Sequence, residues 1–182
     1  MGDYIRTVAE VRADGKWHKN EGAVFPNPHE GMGRDPRPLI ESPFTKQNYP
    51  AFALFANVRN RFGIEPISEP RGFPEDADTS SVGQLVPGIF SEPDSFYDVP
   101  LPPRTIAELV KVHGGWYFGY SWLSAAELAA VDYDRTLVDQ DDIGRPVATT
   151  YRESLGDDYF EQLRALLSLG EPEDVRILFC FS

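Results

Sequence analysis

Tyr4-Ile5-Arg6-Thr7-Val8-Ala9-Glu10-Val11-Arg12 runs directly into Ala13-Asp14-Gly15-Lys16. Tyr4, Arg6, Val8 and Glu10 alternate with Ile5, Thr7, Ala9 and Val11, the period of an extended strand with two distinct faces. Asp-Gly supplies the left-handed conformations of a tight turn, so the chain is expected to return as a second strand over Trp17 to Val24. At the other end Val175, Ile177, Phe179 and Phe181 alternate on a closing strand.

Between these ends the elements follow no regular β-α alternation. Residues 25–48 carry five prolines and read as a long loop. Asn48 can cap a helix with Pro50 in its first turn. Phe52, Phe55, Ala56 and Arg59 form its stripe, and Gly63 is placed to stop it. Residues 63–103 are rich in Pro, Gly, Ser and acids, too long for an ordinary connection, and read as a lid, an interaction loop or an insertion. A short helix is expected over 104–112 and an aromatic strand over Trp116 to Leu123. Ser124-Ala125-Ala126-Glu127 is a capping box that opens another helix. Residues 132–150 read as an acidic loop, and Asp157 as the cap of a last helix ending near Gly170. This order predicts one α+β domain over 1–182, a mostly antiparallel sheet with helices on one face and long Pro/Gly-rich loops.

Composition narrows the function classes. The 182 residues hold 29 acids against 17 Lys and Arg, for a formal net charge of −12, which argues against binding a nucleic-acid polymer through its phosphates. A single cysteine, Cys180, excludes an intrachain disulfide and a thiolate-rich metal cluster. His18, His29 and His113 lack ligand spacing, and Asp139-Gln140-Asp141-Asp142 lacks the acceptor pattern of a calcium loop, so no metal is expected. No Gly-x-Ser-x-Gly elbow, phosphate loop or dinucleotide glycine pattern occurs, so no catalytic residue and no cofactor are assigned. No run is long enough to span a membrane, and no basic-then-apolar leader opens the chain, so a cytoplasmic location and no membrane partner are expected.

Arginines and aromatics remain. Arg59 and Arg61 are placed to end a helix, where cations meet its carbonyls. Arg71 stands between Pro70 and Gly72 in stiff backbone. It is either a fixed fork for phosphate or carboxylate, or an internal partner of Glu69, Glu75 or Asp76. Trp116, Tyr120 and Trp122 can stack a base or pack in the core. Arg59, Arg61, Arg71, Trp116, Tyr120 and Trp122 are therefore the candidate ligand-binding set, for an anionic nucleotide-like small molecule.

Met1-Gly2, Lys16-Trp17, Tyr49 with Phe55 to Asn60, Pro66 to Asp76, and Ser121 to Leu128 carry a resemblance. The chain resembles a family of small bacteriophage-encoded proteins that open with Met-Gly-Ala-Asp-Ile-His and share a Pro-Arg-Gly-Leu-Pro-x-Asp block. Where that family has Asp-x-His this chain has Tyr4-Ile5-Arg6, and the histidines before its Ser-Tyr-Leu are Phe118 and Tyr120 here. The resemblance implies a phage origin and action in the host cytosol. Retained arginines and replaced histidines point to binding rather than catalysis. The expected function is sequestration of a nucleotide-like bacterial immune signal by a homo-oligomer. The alternatives are a nucleotide-directed hydrolase using Glu69, Glu75, Asp76 or His113, and a protein that blocks a host partner.

Overall fold

The computed structural model describes residues 3–28, 39–91, 95–96, 99–100, 104–140 and 144–182. Its first half runs β1 (Ile5–Ala13), β2 (Lys16–Lys19), β3 (Phe25–Pro26), β4 (Leu39–Ile40), α1 (Tyr49–Ala56) and α2 (Thr79–Leu85). Then come β5 (Ser95–Phe96), β6 (Val99–Pro100), α3 (Ile106–His113), β7 (Phe118–Ser124) and α4 (Ala125–Ala129). β8 (Thr136–Gln140), β9 (Pro146–Thr150), α5 (Tyr151–Leu155), α6 (Asp157–Leu167) and β10 (Val175–Phe181) complete the order. His29, Gly31, Met32, Gly33, Asp141 and Asp142 lie outside the described residues.

The opening hairpin forms as its sequence dictates. Asp14 and Gly15 take φ 51° and 75°, and Arg12 pairs with Trp17 across the turn. β10 lies on the other side of β1, with Glu10 opposite Arg176, and β7 lies beyond it, with Arg176 opposite Ser124. The result is an α+β fold around a four-stranded antiparallel sheet of order β2-β1-β10-β7. All seven residues of β10 are buried, because apolar layers cover both faces of the sheet.

One layer sets Ile5, Ala9, Ile177, Phe179 and Phe181 against Phe52 and Phe55 of α1 and Tyr159, Leu163 and Leu166 of α6. Its aromatic rings meet mainly edge to face, as for Phe44 on Phe55 at 5.3 Å and 82°. The opposite layer sets Val8, Leu178 and Cys180 against Val82 and Leu85 of α2, Val86, Ile89 and Ile106 of α3. The helices therefore divide between the two faces. Burying each large side chain contributes about 1.5–3 kcal/mol, so both layers are needed to seat β10.

Gly119 shows how closely β7 approaches this core. Its φ is +62°, and a Cβ there would meet a Phe181 ring carbon at 2.8 Å, beside the irregular pairing between Phe179 and Phe181. Only glycine fits that position without displacing the ring.

Several elements differ from expectation for local reasons. α1 stops at Asn57, not near Gly63. Asn57 adopts φ 58° and its N–H bonds back to Ala53 and Phe52, an asparagine C-cap. The 63–103 stretch is no lid over residues 63–91, because Phe73, Val82, Leu85 and Ile89 are built into the second layer. Residues 136–140 and 146–150 pair as a β-ribbon within the expected acidic loop, and β3 and β4 pair within 25–48. Gly156, not Asp157, caps α6. Among the described residues, no helix is long and apolar enough to cross a membrane.

Candidate functional site

Pairing in the sheet brings five side chains onto one surface. Glu10 and Arg12 come from β1, Trp17 from β2, Arg176 from β10 and Trp122 from β7. Glu10 pairs with Arg176, Arg12 with Trp17, and Trp122 with Leu178 two residues beyond Arg176. The loop after α1 lays Arg71 beside them. It is pinned by hydrogen bonds from Arg71 N to Ser121 Oγ (3.0 Å) and from Gly72 N to the Tyr120 carbonyl (2.9 Å).

Guanidiniums and indoles then alternate across this surface. Arg71 lies 4.8 Å from the Trp122 ring centroid and Arg176 lies 5.7 Å from it. Arg176 also stacks 3.9 Å from Trp17, whose ring carries Arg12 at 5.4 Å. A guanidinium stacked on an indole keeps its N–H donors in plane and fixed in direction.

Arg176 is the floor of this arrangement. Its side chain is only 3% exposed, and its Nε donates to Glu10 Oε2 at 2.8 Å, with Glu10 fully buried. Nη1 donates to Asp76 Oδ1 at 3.0 Å, and that aspartate is mostly exposed. Nη2 is buried and, among the described residues, has no hydrogen-bond partner. The other Glu10 oxygen accepts from Asp78 N at 2.9 Å, which ties the 71–78 loop to the same buried carboxylate. Asp78 in turn caps α2 through Ser80 N. Burial pushes the Asp78 carboxyl up, but hydrogen bonds from Ser80 and Lys19 outweigh it and hold it below the usual range.

Above Arg176 lies an open cleft of about 460 Å³, lined by Arg12, Trp17, Arg71, Asp76, Trp122, Glu127 and Glu173 among others. This is within the range of small-ligand sites. The mouth is set by Arg71, which forms a bidentate pair with Glu127, its Nη1 3.2 Å from Oε2. Glu127 also accepts from Ser124 N at 2.9 Å, so one carboxylate closes the α4 capping box and orients Arg71. Burial raises the Glu127 carboxyl, yet the Arg71 and Ser124 hydrogen bonds lower it further, and it stays below its usual value. Arg12 pairs with Asp174 at the opposite rim.

Family models, curated proteins and solved structures supply no match to this chain.

Of the six candidate residues, the structure brings Arg71 and Trp122 together. Arg71 pairs with Glu127, not with Glu69, Glu75 or Asp76. Glu75 instead accepts from Ile106 N and Ala107 N at the start of α3, and Asp76 holds Arg176. Arg59 lies outside α1 and pairs with Asp3, which raises its pKa through their hydrogen bond. Arg61 is exposed, over its neighbour Phe62. Neither arginine lines the cleft.

Trp116 precedes β7 and is 93% exposed. Tyr120 packs edge to face on Phe73, with its hydroxyl directed at the carbonyls of Gly114 and Tyr117. Burial pushes its pKa up to about 12. It therefore supports the second layer rather than the cleft.

Arg12, Trp17 and Arg176 were not singled out from the sequence. Trp17 and Arg176 are 159 positions apart and meet only through strand pairing. One signal was available: Arg176 is the sole charge inside Val175-Arg176-Ile177-Leu178-Phe179, and a charge in a buried strand needs a partner.

Proposed function

We propose that this protein is a binding protein that captures a planar, anionic, nucleotide-like small molecule in the Arg-Trp cleft. Arg71 would receive an acidic oxygen of the ligand, Arg176 beneath the cleft would supply positive charge, and Trp122 would border the planar group. The observation that carries this reading is the alternation of Arg12, Trp17, Arg176, Trp122 and Arg71 around an open cleft of about 460 Å³. In the setting that the phage resemblance implies, capture would withdraw a nucleotide signal from the infected bacterium.

Isothermal titration calorimetry against mononucleotides, cyclic nucleotides and cyclic dinucleotides tests the reading. The expected result is at least one binder whose affinity falls tenfold or more in both Arg71→Ala and Trp122→Ala. Binding undiminished by either change, or no binder in the panel, overturns it. Recovery of the ligand unchanged after denaturation separates capture from turnover.

A further inference from the structure

Resting on that reading, we infer that the cleft selects ligands carrying one negative charge per acidic group, namely phosphodiesters, over phosphomonoesters. The argument is one of charge exchange. Each guanidinium in the cleft already holds a carboxylate: Arg12 with Asp174, Arg71 with Glu127, and Arg176 with Glu10 and Asp76. A ligand that engages Arg71 or the outer side of Arg176 displaces Glu127 or Asp76. A monoanionic group adds one negative charge beside the carboxylate it displaces. A phosphomonoester dianion adds a second, in a chain of net charge −12.

The charge carried by each acidic group separates the two ligand classes. A phosphodiester offers two oxygens that share a single charge, whereas a terminal phosphate has three oxygens and about two charges near pH 7. A surplus charge a few ångströms from a carboxylate at a protein surface costs roughly tenfold in affinity or more.

Matched probes test this: 3′,5′-cyclic AMP and 5′-AMP share base and ribose and differ in the ester. At pH 7.5 the cyclic compound is expected to bind about tenfold tighter. Lowering the pH to 5.5 protonates the monoester, whose second pKa is about 6, and is expected to close most of that gap. The dinucleoside monophosphate ApA is expected to group with cyclic AMP, and its derivative with a 5′-terminal phosphate with AMP. Equal or tighter binding of AMP at pH 7.5 overturns this inference and leaves the proposed function standing. If none of the four binds while another nucleotide in the panel does, the inference also falls. No binding by any nucleotide removes both.

Discussion

Glu10→Ala tests the foundation of the cleft. Glu10 is fully buried and accepts from Arg176 Nε at 2.8 Å and from Asp78 N at 2.9 Å. Removing one partner of a buried ion pair costs about 3–5 kcal/mol, because the other charge is left without compensation. Losing the Asp78 hydrogen bond adds about 1 kcal/mol. Asp76 and the Trp17 ring still hold Arg176 and return about 1–2 kcal/mol. The expected net loss is about 3 kcal/mol, a large share of the 5–15 kcal/mol that stabilises a typical domain. Urea unfolding followed by tryptophan fluorescence reads it, since two of the three tryptophans lie against Arg176. The double variant Glu10→Leu, Arg176→Met removes both charges and is expected to lose less than Glu10→Ala. A single-variant loss below 1 kcal/mol, or a double variant that is worse, refutes the pairing argument.

Three further outcomes follow from individual groups. Glu127 has its carboxyl held below the usual 4.5, so its contribution is present above that value and fades as pH falls through the folded pKa; Glu127→Gln should flatten the acid limb of a stability-pH profile, and an unchanged limb contradicts the assignment. Burial raises Tyr133 to about 12, and Tyr159, in hydroxyl contact with it at 2.8 Å, well above 10. Their stabilisation is complete below pH 10 and is lost as pH rises toward 12, so ultraviolet titration should show tyrosines that ionise only with unfolding, whereas a single transition near pH 10 in folded protein opposes it. Trp116→Ala should leave stability within about 0.5 kcal/mol and nucleotide affinity unchanged, and a tenfold affinity loss by calorimetry would place the ligand elsewhere.

Local signals in the sequence carried the elements that depend on neighbours. The alternation before Asp14-Gly15 yields β1 and β2, Ser124 with Glu127 yields α4, and the apolar alternation of 175–181 yields β10. The same kind of signal stood unread at Thr150-Tyr151-Arg152-Glu153, a capping box that opens α5. α2 was hidden because Gly83 and three Ser or Thr residues weaken its helical propensity, and packing of Val82 and Leu85 against β1 and β10 supplies what propensity lacks. At the site, Arg71 and Trp122 were legible as residue types in a stiff loop and an aromatic strand. Their partners Arg176 and Glu127, with Trp17 and Arg12 beyond Arg176, reach them through antiparallel register and a loop crossing, which residue spacing along the chain does not express. Arg59 and Arg61 were misplaced by the assumed length of α1, since a left-handed Asn57 turns the chain before it reaches them.

Guanidinium-detected NMR of the arginine-labelled protein, titrated with 3′,5′-cyclic AMP, reports directly on whether the ligand enters the cleft above Arg176. The account predicts that the Arg176 and Arg71 side-chain resonances move together and saturably, while those of Arg59 and Arg61 stay in place. Saturable shifts confined to Arg59 and Arg61, or ligand binding that leaves Arg176 unmoved, would contradict it.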